Sequence, residues 1–117
     1  MRKPYPRRVL TAALLLAAAC NAVEGGNRDA TRADCDTLCG VQVAGEGCKL
    51  PRKTCEAACK ADTDAFDEVC MVKSRAYYQC AAALAWACPA APDQPEAADT
   101  ACDAERSAWL LCKVTGE

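Results

Sequence analysis

Ten cysteines lie between residues 35 and 112, an eleventh stands apart at position 20, and the chain has no histidine. Closely spaced cysteines can do three kinds of chemistry: hold a soft metal, exchange electrons, or close crosslinks. Thiol redox catalysis uses a C-x-x-C pair with a lowered thiolate pKa, and no C-x-x-C occurs here. The two C-x3-C pairs, Cys35/Cys39 and Cys55/Cys59, enclose Asp36 and Glu56, whose charge raises the pKa of a neighbouring thiol. Thiolate binding of zinc or copper(I) requires the reduced form, and no histidine is present to complete a mixed site. Ser74 and Ser107 have no imidazole to act as a general base. No glycine loop of the phosphate-cradling kind is present. "DTDAFDE" (62–68) has calcium-loop acids without the central glycine or the distal glutamate, so it reads as acidic capping of a helix start. The expectation is a chain that is not an enzyme, with no cofactor and no resident metal.

Crosslinking fits the spacings best. Cys35-x3-Cys39 and Cys55-x3-Cys59 each place two sulfurs one helical turn apart on one face. Cys70-x9-Cys80 and Cys102-x9-Cys112 place theirs nearly three turns apart. Two antiparallel helices with matched spacings can be stapled twice. That pattern gives Cys35–Cys59 with Cys39–Cys55, and Cys70–Cys112 with Cys80–Cys102. Cys48 and Cys88 remain to tie the two hairpins together. Cys88–Cys102, closing the proline-rich loop between them, competes with Cys80–Cys102, and spacing alone does not decide connectivity.

The elements that hold these residues read as helices. Asp34 is placed to cap a first helix through Val43, weakened by Gly40. "AGEG" (44–47) is a loop, and Pro51 suits the first turn of a second helix. From Pro51 to Ala87 there is no further proline or glycine. At 100° per residue, Cys55, Cys59, Phe66, Cys70, Tyr77, Cys80, Leu84 and Cys88 share one face. A break is expected at "ADTD" (61–64), with Asp62, Thr63 or Asp64 as the cap of the next helix. Three prolines exclude regular helix in "CPAAPDQPEAADT" (88–100). A last helix, capped by Asp99 or Thr100 with Asp103 and Glu105 in its first turn, runs to Val114. No strand alternation is evident. The fold class is all-α, with three or four helices in small disulfide-stapled hairpins. Of the aromatics, Tyr77 belongs to the core, Trp86 and Trp109 pack near the hairpin ends, and Tyr78 points away as the candidate exposed anchor.

The amino terminus supplies an address. "MRKPYPRR" carries four positive charges, and "VLTAALLLAAA" follows with eleven apolar or small residues, too few to span a bilayer of ~30 Å. Residues 1–19 read as a signal peptide. "AAAC" resembles the lipobox of bacterial lipoproteins, with Ala17 where that family prefers leucine. The resemblance implies a diacylglyceryl group on the Cys20 sulfur, cleavage just before it and acylation of the new amino terminus. Parity agrees, because setting Cys20 aside leaves Cys35, Cys39, Cys48, Cys55, Cys59, Cys70, Cys80, Cys88, Cys102 and Cys112, an even set. Asn21 differs from the aspartate that retains some lipoproteins at the inner membrane, which favours the outer membrane. Ordinary secretion after a cut at Ala19 or Ala22 is the alternative. Residues 20–34 then form a lipid-attached polar tether and residues 35–117 the cysteine-rich domain.

Cys35–Cys59 resembles, in spacing, the twin C-x3-C small chaperones of the mitochondrial intermembrane space. Residues 70–112 are similar in spacing to the twin C-x9-C helical hairpins of the same compartment. The 21-residue connection between Cys80 and Cys102 and the additional Cys88 depart from that pattern.

Charge narrows the partners. The formal net charge of −2 includes the four positives of the first 19 residues; without them, 10 Lys/Arg face 16 Asp/Glu, a net of −6. That balance argues against nucleic acid. The local basic run Lys49, Arg52, Lys53 and Lys60 reads as a solvated helix face. Large apolar side chains are sparse after Cys20, so disulfides at about 2–4 kcal/mol each must carry much of the stability. The expected function is a lipid-anchored, extracytoplasmic binding or structural module whose partner is the membrane. A thiol-based metal or redox protein is the alternative.

Overall fold

A computed structural model describes residues 27–116. The expected signal peptide, Cys20 and the first part of the tether lie outside the described residues. Four helices account for most of that span: α1 (Arg28–Val43), α2 (Arg52–Ala65), α3 (Glu68–Ala82) and α4 (Asp103–Thr115). They form two antiparallel hairpins, α1/α2 and α3/α4, laid on one another with α1 packed on α3. The all-α, disulfide-stapled class is what the structure shows. One small addition is a two-residue antiparallel pair, β1 (Trp86–Ala87) and β2 (Glu96–Ala97), with Trp86 opposite Ala97 and Ala87 opposite Glu96.

α1 begins six residues before Asp34. Asn27 caps it by accepting a hydrogen bond from the Ala30 amide at 3.2 Å, and Asp29 sits in the first turn. Residues 28–34, expected as tether, are therefore helix, and Asp34 is free for another task. Its carboxylate receives the Arg75 Nε at 2.8 Å and the Gln79 amide at 3.0 Å, both from α3. Gly40 does not end the helix; the Arg52 guanidinium lies against its Cα, within 3.3 Å of where a Cβ would be.

The 52–82 stretch breaks at Phe66–Asp67 rather than at 61–64. Asp67 is the cap, accepting from the Cys70 amide at 2.8 Å. The three residues expected to cap are engaged elsewhere. The Thr63 hydroxyl bonds back to the Cys59 carbonyl at 2.8 Å, Asp64 pairs with Lys60 at 2.7 Å, and Asp62 pairs with Lys113 of α4 at 3.2 Å. Phe66 takes extended backbone and buries its ring, so the corner itself feeds the core. α3 ends at Ala82, which places Leu84 and Cys88 outside the helical face expected to carry them. α4 starts at Asp103, later than Asp99 or Thr100. Asp99 instead accepts from the Ala101 amide at 2.9 Å, closing a turn before the helix. Asp103 and Glu105 occupy the first turn of α4, and Gly116 ends it in the left-handed conformation.

Two apolar clusters make the core. One gathers Cys35, Leu38, Cys39, Cys59, Tyr77, Tyr78 and Ala81. The other gathers Phe66, Cys70, Met71 and Cys112, and Trp109 packs against both. Sulfur is thus a large part of the interior.

Candidate functional site

The sulfurs pair in five crosslinks. Cys35–Cys59 and Cys39–Cys55 staple α1 to α2, with Cα separations of 5.7 and 5.8 Å. Cys70–Cys112 and Cys80–Cys102 staple α3 to the α4 arm at 5.6 and 5.9 Å. Cys48–Cys88 joins the two hairpin loops at 4.9 Å. All five fall within the Cα range that a disulfide spans without backbone movement, usually about 4.4–6.8 Å. The competing Cys88–Cys102 link is not formed. Backbone bonds surround the interhairpin link: the Cys88 amide donates to the Glu46 carbonyl at 2.8 Å and the Lys49 amide to the Pro92 carbonyl at 2.7 Å. Gly45 permits this closeness, since a Cβ there would stand 2.6 Å from the Trp86 carbonyl oxygen. Gly47 supplies a φ of 76° in the same turn.

The two staples of the first hairpin lie side by side. The sulfurs of Cys39, Cys55 and Cys59 all fall within 4.8 Å of one another, and Cys39 Sγ is 3.5 Å from Cys59 Sγ across the two bonds. As disulfides, these atoms have no thiolate to offer a metal. Asp36 lies beside them. Burial and the nearby Glu56 carboxylate raise its carboxyl pKa, against the opposing pull of Arg32 and Arg52.

A cleft of about 430 Å³ opens at the other end of the domain from Asn27. Gln42 from the end of α1, Trp86 from β1, Glu96 from β2, and Asp103 and Arg106 from the start of α4 line it. Its floor is aromatic. Tyr77 stacks on Trp109 with ring centroids 4.6 Å apart and an angle of 20°. The Trp109 indole N–H donates to the Tyr78 hydroxyl at 3.1 Å, and Lys113 Nζ lies 4.6 Å from the Trp109 ring centre. Trp86 is fixed by its own N–H bond to the Ala81 carbonyl at 2.8 Å. Burial pushes the Tyr78 phenol up to about 12. Burial raises the Tyr77 phenol too, opposed by the charge and hydrogen bond of Arg106.

Tyr78 is therefore not the exposed anchor that helical phase suggested. It is 1% exposed, because α1 covers the flank of α3 that a lone hairpin would leave open. Tyr77 is buried as expected, and Trp86 and Trp109 are half-buried at the cleft. Arg52, Lys53 and Lys60 of the basic run lie on α2, where Arg52 pairs with Glu56 at 3.2 Å and Lys60 with Asp64, both i,i+4; Lys49 lies in the loop before the helix, not on its face. The cleft itself was not legible, because its walls come from residues 42, 86, 96 and 103–109, and no local motif joins them. The chain matches no protein-family model, no curated protein and no solved structure.

Proposed function

We propose that this chain is an exported lipoprotein, held on the outer membrane through acyl chains on Cys20, whose disulfide-stapled helical domain is a non-enzymatic binding module. The observation that supports this reading is the opposition of two ends. The cap of α1, Asn27, stands seven residues after Cys20, and the helix ends at Val43, next to Gln42 in the cleft wall. Sixteen helical residues separate them by about 24 Å at 1.5 Å each. A lipid at Cys20 would hold one end at the bilayer and present the cleft to the medium. Ten of the eleven cysteines lie in five crosslinks, which leaves Cys20 as the odd sulfur. The test is the mass of the mature amino terminus. Acylated Cys20 supports the reading; an intact soluble chain beginning at Cys20 or Val23 without lipid refutes it in favour of secretion.

A second reading rests on the nested sulfurs of Cys39, Cys55 and Cys59. Reduced, these three would offer thiolates together to zinc or copper(I). Free-thiol counting on protein isolated without reductant separates the two. Ten oxidised cysteines favour the scaffold; four reactive thiols confined to the first hairpin favour the metal site.

A further inference from the structure

This chain is poor in large aliphatic side chains, yet it leaves several of them in solvent at one end. Val69 is 59% exposed, Val72 54%, Leu111 55% and Val114 84%. They share a side of the α3/α4 hairpin for a geometric reason. In antiparallel helices bridged by a disulfide, the residue preceding each bridged cysteine turns 100° to the same side of the hairpin. Val69 precedes Cys70 and Leu111 precedes Cys112, and that pair is bridged. The residues that follow, Met71 and Lys113, turn to the opposite side. There Met71 is buried and Lys113 reaches Asp62 of α2, so that side is covered by the first hairpin. The Val69/Leu111 side has no element packed on it among the described residues. Val72 and Val114 extend it outward, and Ala76, also exposed, continues it one turn up α3.

We infer that this aliphatic face rests on the lipid bilayer. The inference builds on the proposed anchoring at Cys20. The chain preceding the domain ends beside this face: Asn27, the cap of α1, and Thr31 of its first turns line a shallow groove with Met71, Val72 and Ala76. α1 and α3 run parallel, as the pairing of Thr31 with the 71–72 level and of Asp34 with Arg75 and Gln79 requires. Their starts and the end of α4 therefore share one pole. Seven residues from Cys20 to Asn27 reach at most about 25 Å, so an acylated Cys20 keeps this pole near the headgroups. Aliphatic side chains on helices lying at that level bury about 5–10 Å into the headgroup boundary. The face has no aromatic anchor to fill a protein pocket. Seated on this end of the flank, the domain keeps its cleft at the pole away from the attachment.

The test uses the full processed protein with methyl-labelled valine and leucine, in phosphatidylcholine vesicles carrying a nitroxide on the upper acyl chain. The methyl signals of Val69, Val72, Leu111 and Val114 are expected to be lost, while those of Leu38, Leu50 and Leu84 persist. Leu111→Ser with Val114→Ser, both at exposed sites, should restore the Val69 signal. Unchanged patch signals in protein that sediments with vesicles and carries lipid on Cys20 overturn the inference and leave the anchoring intact. Mass showing no lipid, with the same four signals lost when Cys20→Ser protein meets excess vesicles, overturns the anchoring and keeps the face. Patch methyls protected from the nitroxide by self-association of the protein also overturn it.

Discussion

The Asp34 carboxylate on α1 and the Arg75 guanidinium on α3 meet at 2.8 Å, and this pair links the two hairpins through side chains. Both are about one-quarter exposed, and Gln79 adds a second donor to the same oxygen. Hydrogen bonds to charged groups of this kind contribute about 1.5–3 kcal/mol. Asp34→Ala should therefore lower the unfolding free energy of the oxidised protein by about that much, at the lower end because water reaches the pair. Chemical denaturation with the disulfides intact measures it. A loss no larger than that of Lys60→Ala, which breaks only an exposed i,i+4 pair, would show that the hairpins are held without this contact.

Tyr78 gives a pH signature. Its phenol is raised to about 12 by burial, and Tyr77 is raised in the same direction. Below pH 10 both are protonated in the folded and unfolded chains, so the contribution is fully present. Above 10 the unfolded phenols release their protons and the folded ones do not. Stability must then fall as pH rises from about 10 toward 12. Tyr78→Phe removes one such group and leaves the Trp109 N–H without its partner. Stability at neutral pH should drop by about 1–3 kcal/mol, and the alkaline limb should flatten. Thermal melts between pH 8 and 11.5 read both effects; an unchanged alkaline slope contradicts the burial of this phenol.

The interhairpin crosslink should govern the cleft more than the helices. Cys48→Ala with Cys88→Ala removes a link between two loops, while each hairpin retains both of its own staples. Amide exchange should speed up across residues 44–50 and 84–98 and remain slow in the middle of α1 and α3. The overall cost should be about 2–5 kcal/mol. Uniform acceleration through all four helices would mean that this bond holds the entire domain.

Gly47 and Gly45 should resist substitution for different reasons. Gly47→Ala forces an alanine to a φ of 76°, at about 1–2 kcal/mol. Gly45→Ala drives a Cβ into the Trp86 carbonyl, so the β1 segment must move. The second variant should shift Trp86 fluorescence and the first should not. Equal spectra for the two would contradict the close approach at Gly45.

Much of this architecture could be read from sulfur spacing, since three of the crosslinks join residues within helices and a fourth, Cys80–Cys102, ends at the cap of α4. Local pattern misleads where tertiary partners intervene. Asp62, Thr63 and Asp64 look like caps in isolation, but each has another partner in the fold, and Asp67 takes the role. Tyr78 points off the cysteine line of α3, which means exposure only if nothing lies alongside; α1 does. The early start of α1 rests on Asn27 within a polar run whose composition resembles a tether. The cleft escaped altogether because a proline-rich connection brings its walls together, and that connection has no periodicity to read.

Full reduction and alkylation of the protein, followed by far-ultraviolet circular dichroism and a hydrodynamic radius, decides whether the crosslinks hold this fold. With seven of the thirteen buried core residues among the described residues being cysteines, the helical signal should collapse and the radius should expand toward that of an unfolded chain. Helical content and a compact radius that survive alkylation of all ten sulfurs would contradict it.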